Sequence, residues 1–257
     1  MNKLSENFEH RLSLKCRFCG GKFCSKCGRS AYKYCKGTNQ ALRKVHSNFV
    51  HDYIICSQRL NEWMFDDSEC SLIKQFHTNN IVGVFNLTEP GEHPHCGTGL
   101  VSKCNFSYNP ERLMKNNIGH YNFGWTDMTI PTFELIMNAL QVACSLINNT
   151  NNTNNDDNNN NRQNERNKIL IHCHAGFGRT GIFAVCILIV LEHMTAKEAI
   201  ERVRRERPGS VQTTKQELFC HDFEKKFGRY CDVYNIQGGN IHSNIHSNIH
   251  SNIHSNI

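Results

Sequence analysis

The chain has 257 residues, 39% of them hydrophobic, with a formal net charge of +6. This length suits one domain with decorations or two small ones, and the low apolar share predicts that part of the chain lies outside any core. The mild positive charge suits an anionic substrate and is too weak to argue for nucleic acid, and no apolar run reaches the ~20 residues of a membrane span.

The start, MNKLSENFEHR, lacks the apolar core of a signal peptide. Fourteen cysteines without such a signal predict free thiols in a reducing compartment, cytoplasmic or nuclear. Residues 1–40 are dense in cysteine and in basic residues. Cys16-x2-Cys19 and Cys24-x2-Cys27 supply the four thiols that a tetrahedral zinc site takes. The pairs lie four residues apart, against the ~12–20 usual between such pairs, so a loop with reduced thiols stands beside the zinc reading. The interleaved lysines and arginines read as a solvated face.

Residues 41–230 read as one α/β domain. A strand is predicted over 49–56 and a helix over 68–77, with Leu72, Ile73 and Phe76 on one side. The β-branched run 81–87 predicts a strand buried on both faces. A turn-rich loop, 88–99, follows, then short strands at 106–108 and 118–123. Trp125-Thr126-Asp127 stands just before Pro131. Residues 132–147 form an amphipathic pattern, with Phe133, Ile136, Met137, Leu140 and Ala143 on one face.

Residues 148–167 interrupt the domain. Twelve of the twenty are Asn and none is apolar, so ordering them gains too little burial to repay its entropy. A disordered surface insertion is predicted, with a prion-like interaction tract as the alternative.

The stretch 169–181 reads ILIHCHAGFGRTG and runs into the apolar segment 182–191. That is the pattern of a strand, a tight Gly-rich loop and a buried helix. Five residues separate Cys173 from Arg179, enough to curl into a cup with its N–H groups pointing inward. A helix N-terminus beneath such a cup favours an anion. The N–H groups of His174, Ala175, Gly176, Phe177, Gly178 and Arg179 would line it. Arg179 can grip two phosphate oxygens with its planar fork. The same field lowers a thiol's pKa from ~8.5 to roughly 3.5–7.5, which predicts a thiolate at Cys173.

Beyond it, Thr195-x-x-Glu198 is a capping box opening a helix that runs to Arg207 and stops at Pro208. Ala199, Ile200 and Val203 are expected inside. Arg202, Arg204, Arg205 and Arg207 are expected in solvent, where they would raise the potential near an anionic substrate. Thr214-x-x-Glu217 reads as a further capping box, and a last helix over 216–227 should close the domain with Leu218, Phe219 and Phe223. From Asn240 an Asn-Ile-His-Ser unit repeats, placing His242, His246, His250 and His254 at period four. Asn, Ser and Ile are poor helix formers, so residues 231–257 read as a disordered tail rather than a helix holding a metal loosely.

His172, Cys173, Gly176, Arg179, Thr180 and Gly181 match His-Cys-x5-Arg-Thr-Gly, and the chain resembles the cysteine-dependent protein tyrosine phosphatase family. CGGKFC, EPGEH, YNFGW, HCHAGFGRTG and MTAKEAIERVRRERPGSVQT extend the resemblance towards its dual-specificity group. The resemblance implies a central twisted, mostly parallel sheet flanked by helices. It implies Cys173 as nucleophile and Arg179 as phosphate clamp. Asp127, on FGWTDMTIP, becomes the proton donor to the leaving oxygen, with Thr126 where the family's Trp-Pro-Asp loop carries Pro. Asp66, Asp67, Glu89 and Glu92 are other candidates for that acid. Gln212 and Gln216 would place the hydrolytic water, Thr180 would donate to the Cys173 sulfur, and His172 would orient the loop. A shallow pocket open to phosphoserine and phosphothreonine as well as phosphotyrosine is implied, with a phosphoprotein as substrate. No metal or other cofactor is called for, since the cup and Arg179 neutralise the phosphate.

A phosphoinositide or RNA 5′-phosphate substrate on the same scaffold is the alternative enzyme. His174 and Phe177 stand where lipid-directed relatives carry lysines, which argues modestly against a phosphoinositide. From another class, an inactive phosphate reader or a zinc adaptor built on Cys16–Cys27 is the third possibility. The sequence leaves oligomeric state open.

Overall fold

The computed structural model describes residues 47–57, 59–66, 72–94, 99–148 and 166–233. The candidate zinc cysteines, nearly all of the Asn-rich insertion, and the repeat tail lie outside the described residues.

The described chain runs β1 (Ser47–His51), β2 (Ile54–Ser57), α1 (Trp63–Asp66), α2 (Leu72–Thr78), β3 (Ile81–Asn86), α3 (Glu111–Met114), β4 (Gly119–Asn122), α4 (Phe133–Asn148), β5 (Lys168–His172), α5 (Gly178–Leu191), α6 (Ala196–Glu206) and α7 (Thr214–Val233). One sheet takes the order β1-β2-β5-β3-β4. β2, β5, β3 and β4 pair in parallel, and β1 closes one edge antiparallel to β2.

Strand alternation divides the core in two. Ile54, Cys56, Phe85, Ile169 and Ile171 face the layer holding α4 to α7. Ile55, Val84 and Leu170 face the other, with Leu72 and Phe76 of α2 and Leu113 of α3. Period-two projection makes β5 apolar on every inner position, the mark of a parallel strand covered on both sides. α5 is apolar all round and buried from Gly178 to Val190, so it runs through the middle of its layer.

Several boundaries differ from the sequence reading. Residues 49–56 are not one strand: the chain turns at Asp52-Tyr53, so the apolar run is a hairpin arm and its return. Tyr53 is fully buried there, its hydroxyl donating to Glu192. No strand forms at 106–108; Phe106 makes a lone bridge with Val101 across a turn, and Tyr108 is buried. α5 begins at Gly178, four residues ahead of its apolar run, because the end of the glycine loop is already helical. α7 starts at Thr214, with the Thr213 hydroxyl accepting from Gln216 N at 3.2 Å, so Thr213 rather than Thr214 caps it. Leu218 is 58% exposed, and Cys220, Phe223 and Phe227 do the packing expected of it. The Thr195/Glu198 capping box forms as read.

The topology fixes where chemistry can happen. β5 lies between β2 and β3, so the chains leaving its two neighbours diverge and open a crevice at the carboxyl edge. The segments following β2, β3, β4 and β5 all end at this edge. They carry Arg59, Glu92 and His93, Asp127, and Cys173.

Candidate active site

Cys173 follows β5 directly and is 2% exposed. The chain then bends, and its carbonyls are held outward one by one. Arg59 N donates to His174 O at 2.9 Å. Arg207 NH2 donates to Ala175 O at 3.2 Å and Arg207 Nε to Gly176 O at 2.6 Å. A peptide whose carbonyl points out turns the next N–H the other way, so these bonds aim the amides inward. Gly176 N donates to Cys173 Sγ at 3.3 Å. The bend needs glycine at 176: φ is +76°, and a Cβ there would sit 2.3 Å from Ser57 O. Phe177 precedes α5 without a side-chain cap, leaving the first turn to an anion.

Arg207 was expected in solvent. It is 4% exposed, its guanidinium 4.6 Å from the centre of the Phe177 ring and bonded to two carbonyls of the cup. Helicity ends at Glu206, and this break turns its side chain under the loop. Arg204 likewise reaches inward, donating to Val211 O at 3.0 Å. Val211, a β-branched residue at φ 53°, donates to Phe177 O at 3.0 Å. Such a backbone is strained, and it is held by bonds on both its N–H and its carbonyl.

Arg179 is fully buried in the first turn of α5. Its NH1 donates to Leu87 O at 2.9 Å, Trp125 O at 2.8 Å and Glu92 Oε2 at 2.7 Å. Its NH2 bonds Glu92 Oε1 and lies 3.2 Å from Asp127 Oδ1. Its Nε has no partner among the described residues. Burial raises the Glu92 carboxyl, but Arg179 and His93 together hold it down at about 2. Contact with His93 first, and with Arg179 after burial's opposing pull, also keeps Asp127 below the usual carboxylate range.

Asp127 follows the buried Trp125 and is about one-third exposed at its side chain. Of the other acid candidates, Glu92 reaches Arg179 as its bidentate partner, and Glu89 is exposed. Asp67 lies outside the described residues, as does the side chain of Asp66.

His172 is buried at the end of β5, and burial pushes its imidazole down to about 3. Its Nδ1 lies 3.4 Å from Cys173 O and its Nε2 2.9 Å from Tyr108 Oη. A carbonyl can only accept, so Nδ1 carries the proton and Tyr108 donates to Nε2. Burial likewise lowers His174, to about 4. Thr180 Oγ1 is buried with no hydrogen-bond partner among the described residues. Gln216 is fully buried, its Oε1 accepting from Gln212 N at 2.8 Å. Gly178 lets both glutamines approach: a Cβ there would lie 2.9 Å from Gln216 Nε2 and 3.0 Å from Gln212 Oε1.

The structure thus brings Cys173, Arg179, Asp127, Gln212 and Gln216 to one crevice, with His172 and Thr180 buried behind it. Nothing in the sequence pointed to Arg59 or Tyr108; Arg207 was expected in solvent, and Glu92 as an alternative acid. The EPGEH string was the sequence's one hint of the 88–99 loop's part. Glu92, His93 and Asp127 are also grouped as metal donors would be, their ligand atoms within 4.8 Å of one another. Both Glu92 oxygens are already bonded to Arg179, so a cation would have to displace a guanidinium.

A thiol under an amide-lined turn at a helix N-terminus, an arginine six residues on, and a carboxylate from a separate loop form a crevice suited to a phosphate ester. The family model described as Protein-tyrosine phosphatase matches residues 75–224, and the chain belongs to that family. It is similar to Protein tyrosine phosphatase domain-containing protein 1 of Danio rerio, 31% identical over 224 residues, covering 86% of this chain and 28% of that protein. The Bos taurus protein of the same name is 33% identical over 205 residues, covering 80% of this chain and 23% of that one. The chain spans about a quarter of the length of these relatives. Among solved structures it is similar to Tk-PTP in the active form, with 21% identity and a TM-score of 0.54 over 72% of this chain and 99% of that one. This likeness places the fold. Among the described residues no helix is long and apolar enough to cross a membrane.

Proposed function

We propose that this chain is a dual-specificity protein phosphatase that hydrolyses phosphotyrosine and phosphoserine/threonine esters through a cysteinyl-phosphate. The observation that carries this reading is the cup: Gly176 N on Cys173 Sγ at 3.3 Å, with the carbonyls of residues 174–176 all tied outward. Such a turn fits the three equatorial oxygens of a phosphoryl group, with sulfur in line behind phosphorus.

In the first step the Cys173 sulfur bonds to phosphorus as the ester P–O bond breaks. Asp127, held as a carboxylate by His93 and Arg179 before substrate arrives, takes up a solvent proton as the phosphate draws Arg179 away from it, and gives that proton to the leaving oxygen. Glu92 is the poorer donor, since both of its oxygens are spent on Arg179. In the second step Asp127 takes a proton from a water placed by Gln212, with help from Gln216. That water attacks phosphorus, and the sulfur leaves with a hydrogen bond from Thr180. Arg179 holds the phosphoryl oxygens through Nε and the NH2 hydrogen that faces Asp127, beside the cup amides, while Glu92 keeps the rest of the guanidinium. Nothing in these steps asks for a metal.

A panel of phosphotyrosine, phosphoserine and phosphothreonine peptides, phosphoinositides and 5′-phosphorylated RNA tests the reading, with Cys173→Ser as control. Turnover of phosphopeptides by the wild type, absent in the variant, is expected. Turnover of lipid or RNA alone would move the substrate class. Tight binding without turnover would make the chain a phosphate reader.

A further inference from the structure

His93 takes no part in the steps above, yet its placement is over-determined. Its φ is 53°, in the left-handed region that His enters more readily than most residues, and contacts from other segments fix it there. Arg59 supplies part of that hold: NH1 donates to His93 O at 3.0 Å and NH2 to Gly99 O at 2.8 Å, so one buried guanidinium ties two points of the 88–99 loop. The His93 ring stacks on that of His174 in the cup, centroids 3.8 Å apart and planes 19° from parallel. Its Nε2 lies 3.0 Å from Glu92 Oε1 and 3.6 Å from Asp127 Oδ2. The charged and titratable groups around it are Glu92, Asp127, Arg179, His174 and Arg59.

Asp127 has two outside partners, Arg179 at 3.2 Å and His93 at 3.6 Å. An incoming phosphate claims the first, because Arg179 must turn its free edge to the phosphoryl oxygens. The second remains. We propose that His93 is the positioning residue of the acid: seated on His174, it presents Nε2 to Asp127 and docks the acid loop over the cup once substrate has taken Arg179. This inference rests on Asp127 being the proton donor. His93 is the first of the groups that hold the Asp127 carboxyl below its ordinary range, ahead of Arg179.

The test compares wild type, His93→Ala, His93→Gln, His93→Phe and Asp127→Ala on p-nitrophenyl phosphate, a good leaving group, and phenyl phosphate, a poor one. Inorganic phosphate inhibition and Tm are read alongside. His93→Ala should lose about tenfold in kcat on phenyl phosphate, a fraction of the ~10²–10⁴ the acid supplies. It should lose little on p-nitrophenyl phosphate and leave phosphate inhibition unchanged. His93→Gln, whose amide N–H can reach the carboxylates, should recover most of that loss. His93→Phe keeps the stack on His174 and removes Nε2, so it should behave as His93→Ala even where His93→Ala folds poorly. Equal losses on both substrates, or none, overturn the proposal. If Asp127→Ala shows the leaving-group dependence and the His93 variants do not, this inference alone fails. If Asp127→Ala lacks it too, the reading of Asp127 as acid fails with it.

Discussion

In the cup, residues 174–176 each have a carbonyl bound by a group from another part of the chain: Arg59 N once, the Arg207 side chain twice. In the acid loop, residues 123–131, the outside contacts are spread thinly over nine residues. Asn86 O accepts from Phe123 N, Arg179 donates to Trp125 O, and Asp127 lies near Arg179 and His93. Met128 and Ile130 are about half exposed. The cup is fixed before substrate arrives, as a site that stabilises charge must be. On the proposed roles, the acid loop hangs on the arginine that the phosphate would take, which would couple phosphate binding to the seating of the acid through Arg179.

The sharpest way to break that comparison is to remove the sulfur. Cys173→Ser should reduce turnover to background while phosphate or vanadate still binds, because the amides and Arg179 are untouched; equilibrium binding beside a turnover assay reads both. Next comes the loop. Asp127→Ala should lower kcat on phosphotyrosine peptides by ~10²–10⁴ without weakening phosphate binding, since it removes a competitor for Arg179. A loss in binding as large as that in kcat would put Asp127 in the cup instead. Arg207→Met probes the cup's underside. Freed carbonyls at Ala175 and Gly176 should cost on the order of 3 kcal/mol in denaturant unfolding. A shift of the amides should cost roughly a hundredfold in kcat/KM.

A further test is the pH dependence of stability. His172 is depressed to about 3 from an ordinary 6.5. The unfolded chain therefore binds the extra proton first as pH falls. The stability tied to neutral His172 is fully present above about pH 6.5 and is lost as pH falls towards about 3. His172→Gln should flatten the denaturant midpoint over that window. An unchanged slope would mean that His172 is protonated or solvated in the folded protein.

The parts legible in the sequence are those whose physics is local. Cys173 to Arg179 is six residues, and strand, glycine turn and helix start can be read in one window. The amphipathic face of 132–147 and the Thr195/Glu198 box are local too. Partners far apart in sequence were not legible. Glu92 lies 87 residues from Arg179, and nothing near it says which cation it will meet. Arg207 stands among four arginines, and only the end of α6 sends it inward. The run 49–56 hid its turn because the reversal at Asp52-Tyr53 carries neither Gly nor Pro, and Tyr53 reaches Glu192, 139 residues away, to bury itself there.

The central claim is that the Cys173 sulfur carries the phosphoryl group between two half-reactions. Rapid quenching of turnover with a phosphotyrosine peptide, followed by mass spectrometry of the fragment containing Cys173, tests it directly. A phosphoryl adduct on that cysteine is expected, and more of it in Gln212→Ala, where the second step lacks its water-placing group. Undiminished turnover in Cys173→Ser, or an adduct on another side chain with Cys173 unmodified, would contradict it.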